Sequence, residues 1–159
     1  MAATQKESVF SSCLGNICRS PIAEAIYVQQ VEQMGEANKW KIDSGAMGPW
    51  HVGKPPDRRA RMVLEKHGVP TTCKARMVTE ADFTEFDYIV GMDHDNMSDL
   101  RRMMPENSTA KLLMLGDYDP EGVKIVHDPY YDSDVSAFEV CYQHCLRSCK
   151  ALKDVLSKH

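Results

Sequence analysis

Long apolar runs are missing from this 159-residue chain. The run that follows the polar start, Met1 to Glu7, is too short for a signal-peptide core or a membrane span, so the sequence predicts a cytoplasmic protein with no membrane partner. An excess of one charge is missing too: 19 basic and 23 acidic residues, interleaved along the chain, leave a net charge of −4. That balance argues against nucleic acid as a partner, and positive potential for a substrate has to be local. There is no G-x-x-x-x-G-K-[ST] stretch, which leaves a mononucleotide cradle with little support, and no Cys-x-x-Cys, which weakens a thiol-disulfide oxidoreductase. No period, low-complexity tract or linker divides the chain, and 17.9 kDa fits a single domain over residues 1–159. The six cysteines are expected as free thiols, because no secretory segment accompanies them and the core is large enough without staples.

What is present gathers at Cys13-Leu14-Gly15-Asn16-Ile17-Cys18-Arg19-Ser20. Val9 to Ser12 reads as a strand, Gly15 and Asn16 both tolerate positive φ, and Ser20-Pro21 reads as an N-cap followed by a first-turn proline. The stretch is therefore expected to be a loop between a strand and a helix N-terminus. Peptide N–H groups curling there face an anion, the helix dipole adds positive potential, and Arg19 supplies a two-pronged fork for phosphate oxygens. The same field is expected to stabilise a thiolate at Cys13, and a thiolate held beside an electrophilic phosphorus is the chemistry of a cysteine phosphatase. The competing reading of a bare Cys-x5-Arg is two small buried cysteines and a surface arginine.

The rest of the chain alternates strand and helix four times. Apolar positions from Ile22 to Met34 predict a helix stopping at Gly35, and Trp40 to Asp43 a strand. Ser44 to Pro56 is expected as a loop, Asp57 to His67 as a helix ending at Gly68, and Thr71 to Val78 as an irregular link. Thr79 opens a brief helix by its capping pattern. Tyr88 to Met92 is the next strand, Asp93 to Met104 a helix, Lys111 to Leu115 a strand, Gly116 to Asp132 a long loop and Ser136 to Leu156 the closing helix. This order predicts an α/β fold of three layers, α/β/α, around a four-stranded parallel sheet. Cys141, Cys145 and Cys149 fall on one face of the last helix, where core packing is favoured over a metal site because a line of thiols does not close a tetrahedron and His144 points elsewhere.

Taken together, Cys13 to Pro21 with Ala23-Glu24-Ala25, Ile42-Asp43-Ser44-Gly45-Ala46, Trp50, Lys66-His67-Gly68, Phe86-Asp87-Tyr88-Ile89, Met92-Asp93 and Asp128-Pro129-Tyr130-Tyr131 resemble the low-molecular-weight protein tyrosine phosphatases. The resemblance implies hydrolysis of phosphotyrosine in proteins and of small aryl phosphates, with inorganic phosphate as product and no metal or cofactor. It implies Cys13 as nucleophile and Arg19 with the loop residues Leu14, Gly15, Asn16, Ile17, Cys18 and Ser20 as the phosphate cradle. Trp50, which alone reads as a loop anchor, becomes a wall for the substrate ring beside Tyr130 and Tyr131. By sequence alone Asp119-Pro120 and Asp128-Pro129 are both turn starters; the resemblance singles out Asp128 as general acid and base. Ser44 and Asp93, just past predicted strands, are expected to brace the loop and Arg19. Cys18 is a candidate partner for an oxidised Cys13, and the family suggests phosphorylation of Tyr130 and Tyr131.

Two features depart from the family pattern. Ser11 and Ser12 make the first strand less apolar than a buried parallel strand should be. Cys73 stands where a histidine shortly before Ala-Arg is common, and a thiol cannot bridge donors and acceptors as imidazole does, so a less rigidly held loop is expected. Two other functions are weighed. An arsenate reductase needs resolving cysteines midway along the chain, and 79–90 contains none. A phosphotyrosine-binding module needs neither Cys13 nor Asp128.

Overall fold

The computed structural model describes residues 7–157; the polar start Met1 to Lys6 lies outside the described residues. Strand β1 (Glu7–Cys13) is followed by helix α1 (Arg19–Gln33), β2 (Trp40–Ala46), α2 (Arg58–Lys66), the short α3 (Asp82–Glu85), β3 (Tyr88–Gly91), α4 (His94–Met103), β4 (Lys111–Met114) and α5 (Ser136–Leu156). Single 3₁₀ turns lie at Ala37–Lys39, Leu115–Tyr118 and Pro129–Tyr131. The sheet is parallel throughout in the order β2-β1-β3-β4, the α/β architecture expected from the alternation of elements.

Period-2 alternation splits β1 between two apolar clusters. Val9 and Cys13 join α1, α2 and α5 through Ile22, Ile26, Leu64, Phe138, Cys145 and Leu152. Phe10 joins α3 and α4 through Phe83, Phe86, Met97 and Leu100 on the opposite face. The serines of the strand carry hydrogen bonds that apolar residues would not need. Ser8 exchanges bonds with Asp87, whose N–H donates to Ser8 Oγ at 2.8 Å, and Ser11 Oγ donates to the carbonyl of Ser20 at 3.1 Å. Only Ser12 Oγ is left buried without a partner among these.

Several boundaries move from their sequence positions for physical reasons. Strand β2 runs on through Ser44 and Gly45, because its pairing with β1 continues to Cys13 opposite Ala46, and Ala46 then bridges Met77. Gly45 is required there by space: a Cβ would come within 2.6 Å of the Phe10 ring. Helix α1 begins at Arg19, so Ser20 lies inside it and is not its cap; the capping position is Cys18, with no side-chain cap bond. Pro21 is tolerated because first-turn N–H groups have no helical acceptor to lose. The helix ends into Gly35 at φ +70°, a left-handed position that suits glycine. Asp57 and Asp93 cap α2 and α4 through their carboxylates. Asp82 Oδ2 accepts from the N–H of Thr79 at 2.8 Å, one half of the expected capping box.

On α5, Cys141, Cys145 and Cys149 are buried in the core. His144 turns instead toward the carbonyl of Val123 at 2.8 Å and Asp119 at 3.2 Å. Among the described residues no group of three metal-ligating side chains forms, and no helix is long and apolar enough to cross a membrane.

The connections leaving β1 and β3 go to opposite faces of the sheet. The carboxyl ends of these two neighbours therefore border an open crevice, the usual place for a ligand in such folds. Cys13 ends one strand and Asp93 follows the other.

Candidate active site

The turn after β1 is held from behind by Asn16. Asn16 is the one described non-glycine residue at positive φ, +56°, and is fully buried. Its Nδ2 donates to Ser20 Oγ at 2.7 Å and to Ser44 Oγ at 2.9 Å, and its Oδ1 accepts from the N–H of Arg76 at 3.2 Å. An amide nitrogen only donates, so Ser20 must accept there, and its own hydroxyl proton is left to point at Cys13 Sγ, 3.0 Å away. The peptide N–H of Ser20 approaches the same sulfur at 3.4 Å. Gly15 does not use a left-handed conformation; it leaves room for His51, whose Cδ2 would meet a Cβ at 2.9 Å.

Arg19 is 3 % exposed. Its Nη1 donates to Asp93 Oδ2 at 2.6 Å and to the carbonyl of Val126 at 3.1 Å, and its Nη2 lies 3.5 Å from Asp128 Oδ2. Nε is buried and has no partner. Burial opposes the charge on this guanidinium, but the charge of Cys13 and the bond to Asp93 outweigh it, and the Arg19 pKa is held above its ordinary value. Ser44, from within β2 and not after it, thus braces the loop, and Asp93, just past β3, braces Arg19.

Above the turn lies a cleft of about 370 Å³. Cys13, Leu14, Gly15, Ile17 and Cys18 form its floor, Trp50 and His51 one wall, and Asp128, Tyr130 and Tyr131 the other. Trp50 and Tyr131 are 61 % and 74 % exposed, large aromatic surface left open to the cleft mouth. The Trp50 ring folds over Gly48, where a side chain would collide with it at 2.1 Å. Cys18 is buried, and that burial together with the nearby Asp57 carboxylate pushes its thiol well above the ordinary range.

The residues singled out for the site from sequence lie in this assembly: Asn16, Ser20 and Ser44 behind the turn, Arg19 and Asp93 beside it, the remainder on the cleft surface. Three contributors were not found that way. His51 has only its position beside Trp50 to mark it. Arg59 and Glu24 act from helices, where spacing shows a face but not a partner. Glu24 hydrogen-bonds Ser44 and Cys73, and burial raises its pKa to about 7. Cys73 Sγ lies 3.5 Å from Ser44 Oγ, placing it against the bracing network as its departure from the family pattern suggested.

Comparison with known proteins follows the same outline. The family model for low molecular weight phosphotyrosine protein phosphatase matches residues 8–159. The phosphatase of that name from Sus scrofa is 48% identical over 153 residues, covering 95% of this chain and 96% of its own. Low molecular weight phosphotyrosine protein phosphatase 1 of Drosophila melanogaster is 49% identical over 152 residues, 94% of this chain and 97% of its own. The crystal structure of Primo-1 superposes with a TM-score of 0.88 at 47% identity, over 93% of this chain and 97% of that one. Likeness of this depth along nearly the whole length settles descent: the chain belongs to the low-molecular-weight phosphotyrosine protein phosphatase family.

Proposed function

We propose that the protein hydrolyses phosphotyrosine in proteins, and small aryl phosphates with it, in two steps through a phosphocysteine. The observation that carries the reading is the Arg19 guanidinium, pinned on one edge by Asp93 and Val126 while its buried Nε has no partner. A desolvated donor of that kind is costly unless an acceptor arrives, and a phosphoryl oxygen above Cys13 is that acceptor.

In the first step Cys13 Sγ attacks phosphorus, the ester P–O bond breaks, and Asp128 gives its proton to the departing phenol. In the second, Asp128 as carboxylate takes a proton from water, the water oxygen bonds to phosphorus, and the P–S bond breaks to release inorganic phosphate. The peptide N–H groups of Leu14, Gly15, Asn16, Ile17, Cys18 and Arg19, with the Arg19 fork, hold the equatorial oxygens. The Ser20 hydroxyl, turned toward sulfur by Asn16, stabilises the thiolate as it leaves. Trp50, Tyr130 and Tyr131 receive the flat ring, which favours an aryl ester over an alkyl one. No step draws on a metal or cofactor.

Phosphate release from an aryl phosphate at mildly acidic pH tests this. Cys13→Ser is expected to abolish it, and Asp128→Ala to slow it by roughly two orders of magnitude or more with high-pKa phenols and far less with activated ones. Activity that survives Cys13→Ser ends the proposal. The free thiols suit a reducing, cytoplasmic setting. There, peroxide converts Cys13 to a sulfenic acid, and the Cys18 thiol displaces water from it to form a disulfide. Recovery of peroxide-treated enzyme with dithiothreitol checks this, and permanent loss counts against it.

A further inference from the structure

We infer that Arg59 is a positioning residue: it fixes the turn at 128–132 against the phosphate loop and so sets where the Asp128 carboxyl stands. The inference rests on the assignment of Asp128 to proton transfer made above and deepens it.

Arg59 is the second residue of α2, and its guanidinium reaches across to the turn. Nη1 donates to the carbonyl of Asp132 at 2.8 Å and Nη2 to the carbonyl of Tyr130 at 3.2 Å. Two peptide carbonyls of one turn are thereby gripped by one planar fork. Among the described residues, no other side chain from outside the turn donates to its backbone. The guanidinium also lies 6.0 Å from the centre of the Tyr130 ring and 4.5 Å from that of Phe138, which is fully buried on α5.

The other end of the clamp is tied to the phosphate loop. Asp57 accepts from Arg59 Nε at 3.0 Å and Nη2 at 3.1 Å, and the peptide N–H of Asp57 donates to the carbonyl of Ile17 at 2.8 Å. A path of hydrogen bonds thus runs from Ile17, on the floor of the cleft, through Asp57 and Arg59 to Tyr130 on its far wall and to Asp132 at the end of the same turn. The turn needs such a tie. Pro129 alone within its 3₁₀ segment is buried, while Tyr130 and Tyr131 are exposed, so apolar burial does little to fix it. Arg19 meets only the side chain of Asp128, at 3.5 Å. A proton donor displaced by about 1 Å from a leaving oxygen loses much of its effect, so a tie on the backbone of the turn bears on rate without touching substrate.

The test is kcat/KM for a series of aryl phosphates of rising leaving-group pKa, measured for Arg59→Ala, Arg59→Lys, Asp128→Ala and the double variant Arg59→Ala/Asp128→Ala. Arg59→Ala is expected to lower kcat/KM about tenfold for poor leaving groups and less than about twofold for activated ones. Inhibition by inorganic phosphate, which reads the loop alone, is expected to stay within about twofold. Arg59→Lys keeps the charge but not the fork, and falls between. In the Asp128→Ala background, Arg59→Ala is expected to cost less than about twofold, because the group it positions is gone. A loss equal for all leaving groups, or one that multiplies with that of Asp128→Ala, overturns the inference while leaving the acid in place. A leaving-group dependence that Asp128→Ala fails to steepen overturns both. Should Arg59→Ala not fold, Arg59→Lys makes the same comparison.

Discussion

Glu24 has a carboxyl that the fold takes largely out of water. Burial is the chief cause of its raised pKa, about 7; Asp43 adds to it, while bonds from Ser44 and Cys73 partly offset the rise. A thiol is a weak partner for a carboxylate, and Cys73 is itself pushed up to about 12, mainly by burial, so it stays neutral. The folded state therefore holds a proton on Glu24 that the unfolded chain gives up near 4.5. Between about pH 4.5 and 7 the native state binds more protons, and stability falls as pH rises through that window, by up to about 3 kcal/mol. Thermal unfolding at pH 5.5 and 7.5 checks this: Glu24→Gln is expected to flatten the decline. Cys73→His, which sets an imidazole beside the carboxyl, is expected to flatten it too without lowering turnover. An unchanged slope in both variants would place the titrating group elsewhere, and a large loss of turnover in Cys73→His would mean that residue 73 plays another part.

At the scale of an element, β1 is the instructive case. Two serines at its carboxyl end looked unsuited to a strand buried on both faces, and they have opposite fates. Ser11 faces α1 and spends its hydroxyl on the Ser20 carbonyl, tying the strand to the first turn of the helix. Ser12 faces the other cluster, is fully buried, and its hydroxyl has no partner. An unpaired buried hydroxyl costs about 1–3 kcal/mol relative to its absence. Ser12→Ala is therefore expected to stabilise the protein by about 1 kcal/mol, raising Tm by roughly 2–4 °C, whereas Ser11→Ala lowers it. Equal losses from the two substitutions would refute the distinction. Neither fate was legible in the sequence, since both depend on which face meets which helix. The elements themselves were legible: Ser136 to Leu156 stands as read from its apolar spacing, and Gly35 and Gly68 end their helices as expected. Misplaced boundaries fell where tertiary pairing overrode local signals, as when β1 drew Ser44 and Gly45 into β2.

At the scale of the whole molecule, distant stretches converge because the sheet brings strand ends together, and partners far along the chain then sort look-alike residues. Asp119 and Asp128 are indistinguishable as turn starters, yet Asp119 is taken by Arg147 at 2.7 and 3.1 Å and by His144 at 3.2 Å. Burial opposes its ionisation, and the Arg147 bonds overcome this and hold it at about 2. Asp128 keeps its face to the cleft. No local pattern encodes that difference, because Arg147 and His144 come from α5. The convergence also couples site occupancy to global stability. Arg19 ties α1 to Asp93 ahead of α4 and to Val126 in the loop before Asp128, and its Nε is buried with no partner, so the proposed function makes it the seat of an anion. A ligand bound there by the folded state alone stabilises all of these at once: inorganic phosphate at a hundred times its dissociation constant adds about 2.7 kcal/mol. For a chain of this size that is a rise in Tm of roughly 5–10 °C. Comparing unfolding in phosphate and in chloride at equal ionic strength reads it directly. The rise is expected in the unaltered protein and absent from Arg19→Ala, whereas an equal rise in both would trace it to general salt effects and remove the anion site from the floor of the cleft.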